Sequence, residues 1–336
     1  MPLNPILAEV FRKDIMESCH RGSAIVVNAE GETVFSLGET DRSIYPRSSL
    51  KLFQAIPLLE SGAADHFGLS KKEIALACAS HNAEEMHVST ISAWLQRMEL
   101  HKDDLECGHD LPLLDRAAHQ LIANHEAPSR VHQNCSGKHA GMLTYAKYLD
   151  VGTKGYSEYE HPVQQKWMQT FSELINIDVN SLEWERDGCG MPAIYMPMER
   201  LAFGFAQFAN LEKMGEKRGN AMSRILEAVS TYPEMIAGSD RCCTAVVKET
   251  SAAVVVKTGA EAVYGGVIPK MKLGFVLKID DGATRASEVA LGGLLNAIGA
   301  INGKEAEALT DYFEPIIYNT QKKKTGRVSA SKNWEK

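Results

Sequence analysis

Apolar residues first concentrate in two short runs, Ser23-Ala24-Ile25-Val26-Val27-Asn28 and Thr33-Val34-Phe35-Ser36-Leu37. Both are rich in strand-forming residues, and Ala29-Glu30-Gly31-Glu32 between them is turn-forming, so the pair predicts a β-hairpin. The period then changes. Leu52, Ala55, Ile56 and Leu59 recur at helical spacing, which predicts a helix from about Ser48 that Gly62 ends and Pro57 weakens in its second half. Ser70-Lys71-Lys72-Glu73 reads as a capping box opening a helix to about Cys78. Helical patterns follow at 84–99, 113–125, 139–149, 161–175 and 214–230. Strand patterns return at 245–248, 252–257 and 274–279, with a weaker one near 262–268, and a last helix is expected over about 286–302.

Short connections between the late strands require antiparallel pairing, because a parallel pair needs a crossover of a dozen or more residues. The order hairpin, helix, long helical stretch, β-meander, helix therefore predicts an α/β (α+β) fold. Its antiparallel sheet is built from both chain ends, with a mainly helical region packed beside it. The expected organisation is a single domain over 1–318, with sheet parts at about 20–60 and 240–318 and a helical insert at about 65–235. A basic mobile tail over 319–336, carrying Lys322, Lys323, Lys324, Arg327 and Lys332, follows.

Composition narrows the class of function. The 336 residues are 44% hydrophobic and 24% charged, an ordinary globular balance. A net charge of -7 opposes a general nucleic-acid or membrane-surface role, which needs a basic face. The early apolar stretch Ile6 to Phe11 is interrupted by Glu9 and followed by Arg12, Lys13 and Asp14, unlike a signal-peptide core. No apolar run approaches the ~20 residues of a membrane helix. A cytoplasmic protein is expected, and the odd count of seven cysteines argues against a disulfide framework.

Three motifs carry chemistry. Ser48-Ser49-Leu50-Lys51 places a serine and a lysine one helical turn apart. A lysine in a desolvated, positively charged pocket can serve as the base that a serine nucleophile needs. Alone, this pattern more often describes an N-cap serine and a solvated lysine. Ser80-His81-Asn82 follows the helix that ends at Cys78, and Lys257-Thr258-Gly259 ends the most β-branched run. The ordered trio matches S-x-x-K, S-D-N and K-T-G of class A β-lactamases and penicillin-binding proteins, with His81 in place of the aspartate.

A fourth constellation pairs Asn134-Cys135-Ser136-Gly137-Lys138-His139 with Asp187-Gly188-Cys189-Gly190-Met191-Pro192. Two thiols among Asp, His and Lys are one way to assemble a zinc site, although the spacing matches no C-x-x-C pattern. Two unrelated free cysteines, or a nucleophilic Cys135 with His139, remain open on the residues alone. Cys78 reads as a small core hydrophobe. His81 and His87 read as structural, and His101, His109 and His119 as surface residues. Trp94, Trp167 and Trp184 read as packing. Cys242 and Cys243, expected beside a strand, would face opposite ways.

Together these segments, with Pro46-Arg47 and Ala260-Glu261 added, resemble the L-asparaginase II family of the Rhizobium etli (class 3, thermolabile) type, over roughly residues 5–318. The resemblance implies hydrolysis of L-asparagine to L-aspartate and ammonia, a fold similar to serine β-lactamases and glutaminases, and a homodimer. It implies two Ser-Lys tandems, Ser48 with Lys51 and Ser80 with Lys257, beside zinc held by Cys135, Lys138 and Cys189 with Asp187 close by. By analogy with β-lactamases, the backbone N–H groups of Ser48 and Ala260 form the oxyanion hole. Arg47, Asp187, His139 and Asn134 are the expected substrate-binding residues. Glutaminase on the same scaffold, a β-lactamase or cell-wall peptidase, and a non-catalytic zinc-stabilised binding protein are the competing expectations.

Overall fold

Eight strands drawn from both ends of the chain form one antiparallel sheet in a computed structural model that describes residues 3–335. The strands are β1 (Ile6–Arg12), β2 (Ile15–Asn28), β3 (Thr33–Leu37), β4 (Val255–Gly259), β5 (Val263–Ile268), β6 (Leu273–Ile279), β7 (Ile316–Tyr318) and β8 (Lys324–Ala330). Their order is β7-β8-β1-β2-β6-β5-β4, with β3 also paired to β2. Strand β2 is long enough to serve two partners: Ile15–Arg21 pairs with β1, and Gly22–Asn28 pairs with β6. Register shifts on β1 between Ile6 and Ala8 and between Val10 and Phe11 mark bulges, which add local twist.

The chain divides into two compact units. The sheet unit comprises residues 1–49, 196–210 and 245–336, and the helical unit comprises 50–195 and 211–244. In the sheet unit the helix Met198–Gln207 packs on β2, β5 and β6, and the helix Thr284–Ala297 packs on β1, β6 and β8. The helical unit is built around Ser136–Tyr148, which is buried continuously from Ser136 to Ala146. A helix buried on every side lies at the centre of its neighbours rather than on a surface, and it is packed by Lys71–Ala77, Glu85–Arg97 and Pro162–Ile175. Trp94 and Trp167 are fully buried there and satisfy their indole N–H groups on Thr144 Oγ1 (3.0 Å) and Gln164 Oε1 (2.7 Å). The expected capping box is present: Ser70 accepts from Glu73 N–H, and Glu73 accepts from Ser70 N–H at 2.8 Å.

Several expectations are corrected. Residues 245–248 are helical, within Cys242–Glu249. Cys242, Cys243, Val246, Val247 and Thr250 are all buried, which is helical spacing; the β-propensity of adjacent valines masks it in a four-residue window. Cys242 and Cys243 therefore open a helix, both inward. The segment from Gln321 is no mobile tail: β8 lies between β7 and β1, with Ala330 opposite Ala8 and Val328 opposite Val10. Trp334 is buried and its Nε1 donates to Leu7 O at 2.9 Å. Thr325, Arg327 and Ser329 alternate with the buried Gly326 and Val328, a strand pattern that the lysines before it conceal.

The boundaries shift accordingly. Residues 6–12 and 15–22 join the sheet, 50–60 belong to the helical unit, and 196–210 return to the sheet unit. The helix expected from Ser48 is a 3-10 turn, Arg47–Leu50, followed by the short helices Lys51–Gln54 and Ile56–Glu60, with Pro57 in the first turn of the latter. Among the described residues no helix is long and apolar enough to cross a membrane.

Candidate active site

Lys51 is the hub of the helical unit's polar interior. It is the first residue of its helix, 1% exposed, and its Nζ donates to Ala79 O (2.5 Å), Ser80 Oγ (2.9 Å) and Cys135 Sγ (3.1 Å). These three partners surround the amine, as a buried polar group requires. The loop after Lys71–Ala77 presents Ser80, pinned by its own N–H on Ile236 O (2.9 Å), while His81 N–H reaches Asn134 O (3.0 Å). Thus the Ser80 loop and the Asn134-Cys135 loop are stitched side by side. Gly137 makes that approach feasible: a Cβ there would lie 2.4 Å from Leu76 O, so any side chain would push the two segments apart.

The thiol loops meet in the same unit. Residues 187–191 form the tip between the paired strands Trp184–Arg186 and Pro192–Ile194, closed by Gly190 N to Asp187 O and Asp187 N to Met191 O, both 2.8 Å. Gly190 takes φ of +89°, a conformation that favours glycine. This tip delivers Cys189 to Lys138, whose Nζ lies 3.0 Å from its sulfur. Cys135 and Cys189 lie side by side. The hydrogen bond from Cys135 holds the Cys189 thiol well below its usual pKa, with Lys138 and His139 adding to the effect, while the same bond and burial push Cys135 well above. Burial opposes the charge on Lys138, yet the two sulfurs and Asp187 hold its pKa above the ordinary lysine value. Cys135 Sγ also lies 2.9 Å from Asn134 Oδ1. Cys107, a neighbour that sequence reasoning passed over, is raised by burial to about 12 and is an inert thiol.

His139 is fully buried beside Cys189, with Nδ1 2.6 Å from the Tyr156 hydroxyl. Tyr156 and Glu106, which brace it, were not singled out from sequence; they carry no local motif, and only tertiary packing brings them in.

In the sheet unit, Arg47 adopts φ of +54°. Ser49 N and Oγ both bond Pro46 O, at 3.2 and 2.8 Å, which winds residues 46–49 into a tight turn carrying half-buried Ser48. The end of β4 rests on this turn: a Cβ on Gly259 would lie 2.3 Å from Pro46 O and 3.3 Å from Ser49 N. Lys257-Thr258-Gly259 therefore runs beside Ser48. Lys257 is 1% exposed and donates to Thr258 O at 2.9 Å. Ala260 is exposed at the mouth of the β4–β5 connection, whose Glu261 and Ala262 both take positive φ.

His81 and His87 are structural, stacked with ring centroids 5.0 Å apart. His81 Nδ1 accepts from Ala83 N–H (3.0 Å) and its Nε2 meets Ser136 Oγ (2.9 Å), which itself donates to Val131 O. His87 repeats the pattern between Glu84 N–H and Glu234 O. Both are neutral Nε2–H tautomers, and burial, the largest cause for each, lowers both below the 6.5 of free histidine. The folded chain therefore binds fewer protons than the unfolded chain. Stability is expected to be unaffected by these groups above pH 6.5 and to fall below it, by up to about 1.4 kcal/mol per pH unit for each. Urea midpoints at pH 7.5 and 5.0 measure this, and an unchanged midpoint would refute it. His101, His109 and His119 are exposed, and Trp184 stacks on Tyr159 at 4.3 Å.

Among the described residues no three His, Cys, Asp or Glu side chains are grouped to hold a metal. The zinc that the family resemblance implies would take the Lys138 amine as third ligand with the Cys135 and Cys189 sulfurs. The set fits in chemistry: two thiolates offset a divalent charge, and the buried His139 Nε2 has no conventional hydrogen-bond partner among the described residues, leaving a polar atom for the filled site to satisfy.

Comparison with curated proteins gives no significant match. Two solved structures are similar at low level. A class C β-lactamase mutant has 14% identity and a TM-score of 0.41, covering 80% of this chain and 90% of its own. The D-alanine carboxypeptidase AmpC from Burkholderia cenocepacia has 13% identity and a TM-score of 0.37, covering 81% and 93%. The model of the L-asparaginase II family matches residues 8–330, a span that takes in every motif segment above and the strand β8 at its far end. The chain belongs to the L-asparaginase II family.

Proposed function

We propose that the protein hydrolyses L-asparagine to L-aspartate and ammonia through a seryl ester. Ser48, deprotonated by Lys51, attacks the side-chain amide carbon. The Oγ–C bond forms, the oxyanion collapses, and the C–N bond breaks as nitrogen takes a proton relayed through Ser80 and Lys257. Water then cleaves the ester and regenerates the serine. Backbone N–H groups of Ser48 and Ala260 stabilise the oxyanion. Arg47, Asn134 and Asp187 recognise the α-carboxylate and α-amino groups; His139, expected among them, is fully buried with Nδ1 on the Tyr156 hydroxyl and turns to Cys189 instead. The observation that carries this reading is the buried Lys51 amine, 2.9 Å from Ser80 Oγ and 3.1 Å from Cys135 Sγ. It links a serine, a lysine and the thiol cluster in a chain of amidohydrolase family.

Zinc, held by Cys135, Lys138 and Cys189, would supply a fixed positive charge beside the substrate's head group when bound. The protein's own residues do the rest: Lys51 moves the proton, Ser48 forms the bond, and Ser80 passes the proton on. The short Lys51–Ser80 contact favours a second reading in which Ser80 is the acylated serine. The mass of tryptic peptides from a quenched reaction separates the two, with an adduct on Ser80 overturning the assignment to Ser48.

The test is ammonia release from L-asparagine and L-glutamine, with Ser48→Ala as control. Release from asparagine that vanishes in the variant is expected. Preference over glutamine rests on one methylene, worth about 1–3 kcal/mol, so measurable glutamine turnover is compatible. No release from either amide by folded protein would overturn the reading and favour a binding protein.

A further inference from the structure

We propose that His139 is a positioning residue for the Cys189 sulfur, held in register by the Tyr156 hydroxyl. The proposal rests on the reading of Cys135, Lys138 and Cys189 as zinc ligands. It starts from a directional argument about protons. The Tyr156 oxygen accepts the Glu106 N–H at 2.9 Å. Its own hydrogen is then free for His139 Nδ1, 2.6 Å away. That fixes the imidazole as the Nε2–H tautomer. The Nε2–H is buried, without a conventional partner among the described residues, and lies next to Cys189.

A buried N–H left unmade costs about 1–3 kcal/mol. Sulfur carrying negative charge is an acceptor for it, and a metal-bound thiolate is such a sulfur. Lys138 now occupies Cys189 with its own N–H at 3.0 Å. Once that amine turns to a metal, its N–H no longer serves the sulfur, and His139 remains facing it. Hydrogen bonds of this kind orient ligands and tune affinity.

The support behind His139 is rigid. Tyr156 is fully buried, edge-on to the imidazole at 5.5 Å, with its carbonyl held by Gln164 Nε2 at 2.8 Å. The Glu106 carboxylate accepts from Gly155 N–H (2.6 Å), Ser157 N–H (3.0 Å) and Ser157 Oγ (2.6 Å), clamping the turn that carries Tyr156. Every link from Glu106 to His139 is a hydrogen bond of 3.0 Å or less.

The experiment is zinc affinity of the metal-stripped full-length protein, read by competition with a chromophoric chelator. Tyr156→Phe, which removes one oxygen, and His139→Leu are each expected to weaken zinc by about 10–100-fold. His139→Gln, which keeps an N–H at similar reach, is expected to restore most of the loss. In cobalt-loaded Tyr156→Phe the thiolate-to-cobalt absorption band should shift, a signature that mere loss of packing does not produce. Wild-type zinc affinity in folded Tyr156→Phe and His139→Leu overturns the positioning role alone. Wild-type protein that takes up no zinc overturns the zinc reading beneath it.

Discussion

Replacing Lys51 with methionine is expected to lower L-asparagine turnover by about 10⁴-fold or more while the protein remains folded. The side chain matches lysine in length, so the apolar stem still fills its place. What disappears is the amine that reaches Ala79 O, Ser80 Oγ and Cys135 Sγ. Two consequences separate. The serines lose their proton acceptor, and residual catalysis by oxyanion stabilisation and binding is all that remains. The carbonyl of Ala79 and the Ser80 hydroxyl lose a donor in a buried site, at about 1–3 kcal/mol. The measurement is steady-state kinetics paired with a urea midpoint. A folded Lys51→Met protein with activity within tenfold of wild type would remove Lys51 from the chemistry, whichever serine is acylated.

The largest effect on stability is expected at the other end of the chain. Trp334→Ala should cost about 3–5 kcal/mol, in line with large-to-small core replacements. Its indole is 5% exposed, stacks on Phe35 with centroids 6.1 Å apart, and hydrogen-bonds to Leu7 O. The ring also closes on Gly293, where a Cβ would fall 2.7 Å from it, so on that side the cavity left behind is lined by backbone with no side chain to fill it. Truncation before Lys322 should be worse, because it removes β8 and leaves β1 unpaired on that side. Urea unfolding of Trp334→Ala and expression of the truncated chain measure these effects. A truncated protein as stable as the full chain would show that β8 contributes nothing.

What was legible in the sequence was local. The helices at 85–97, 115–123, 136–148, 162–175 and 216–231 follow their apolar spacing closely, as does the hairpin of β2 and β3. The motif trio was visible because each motif is three or four residues long. Its internal wiring was not. Ser48 precedes Lys51 by one turn, so spacing pairs them, yet the amine of Lys51 is bonded to Ser80, twenty-nine positions away. Likewise spacing alone gave no reason for Cys135 to meet Cys189; that follows from Gly137 seating one helix on another and from the turn at Gly190. Strand β1 was missed because Glu9 and Arg12, less buried than Ala8 and Val10, imitate a polar segment. The helix Met198–Gln207 left a readable signal, with Leu201, Ala202, Phe205 and Ala206 buried at helical intervals.

The placement of β8 also bears on how the chain is made. Trp334 reaches back to Leu7 across 327 positions, and β1 waits for β8 throughout synthesis. On the ribosome, residues 50–195 emerge as a contiguous block that can begin to pack, whereas β1 presents an open hydrogen-bonding edge on that side until β8 has emerged. Such an edge invites pairing with other nascent chains. The charges of Glu9 and Arg12 and the bulges of β1 are then guards for that interval, and chains stalled before β8 should accumulate as aggregate rather than as a shortened soluble form.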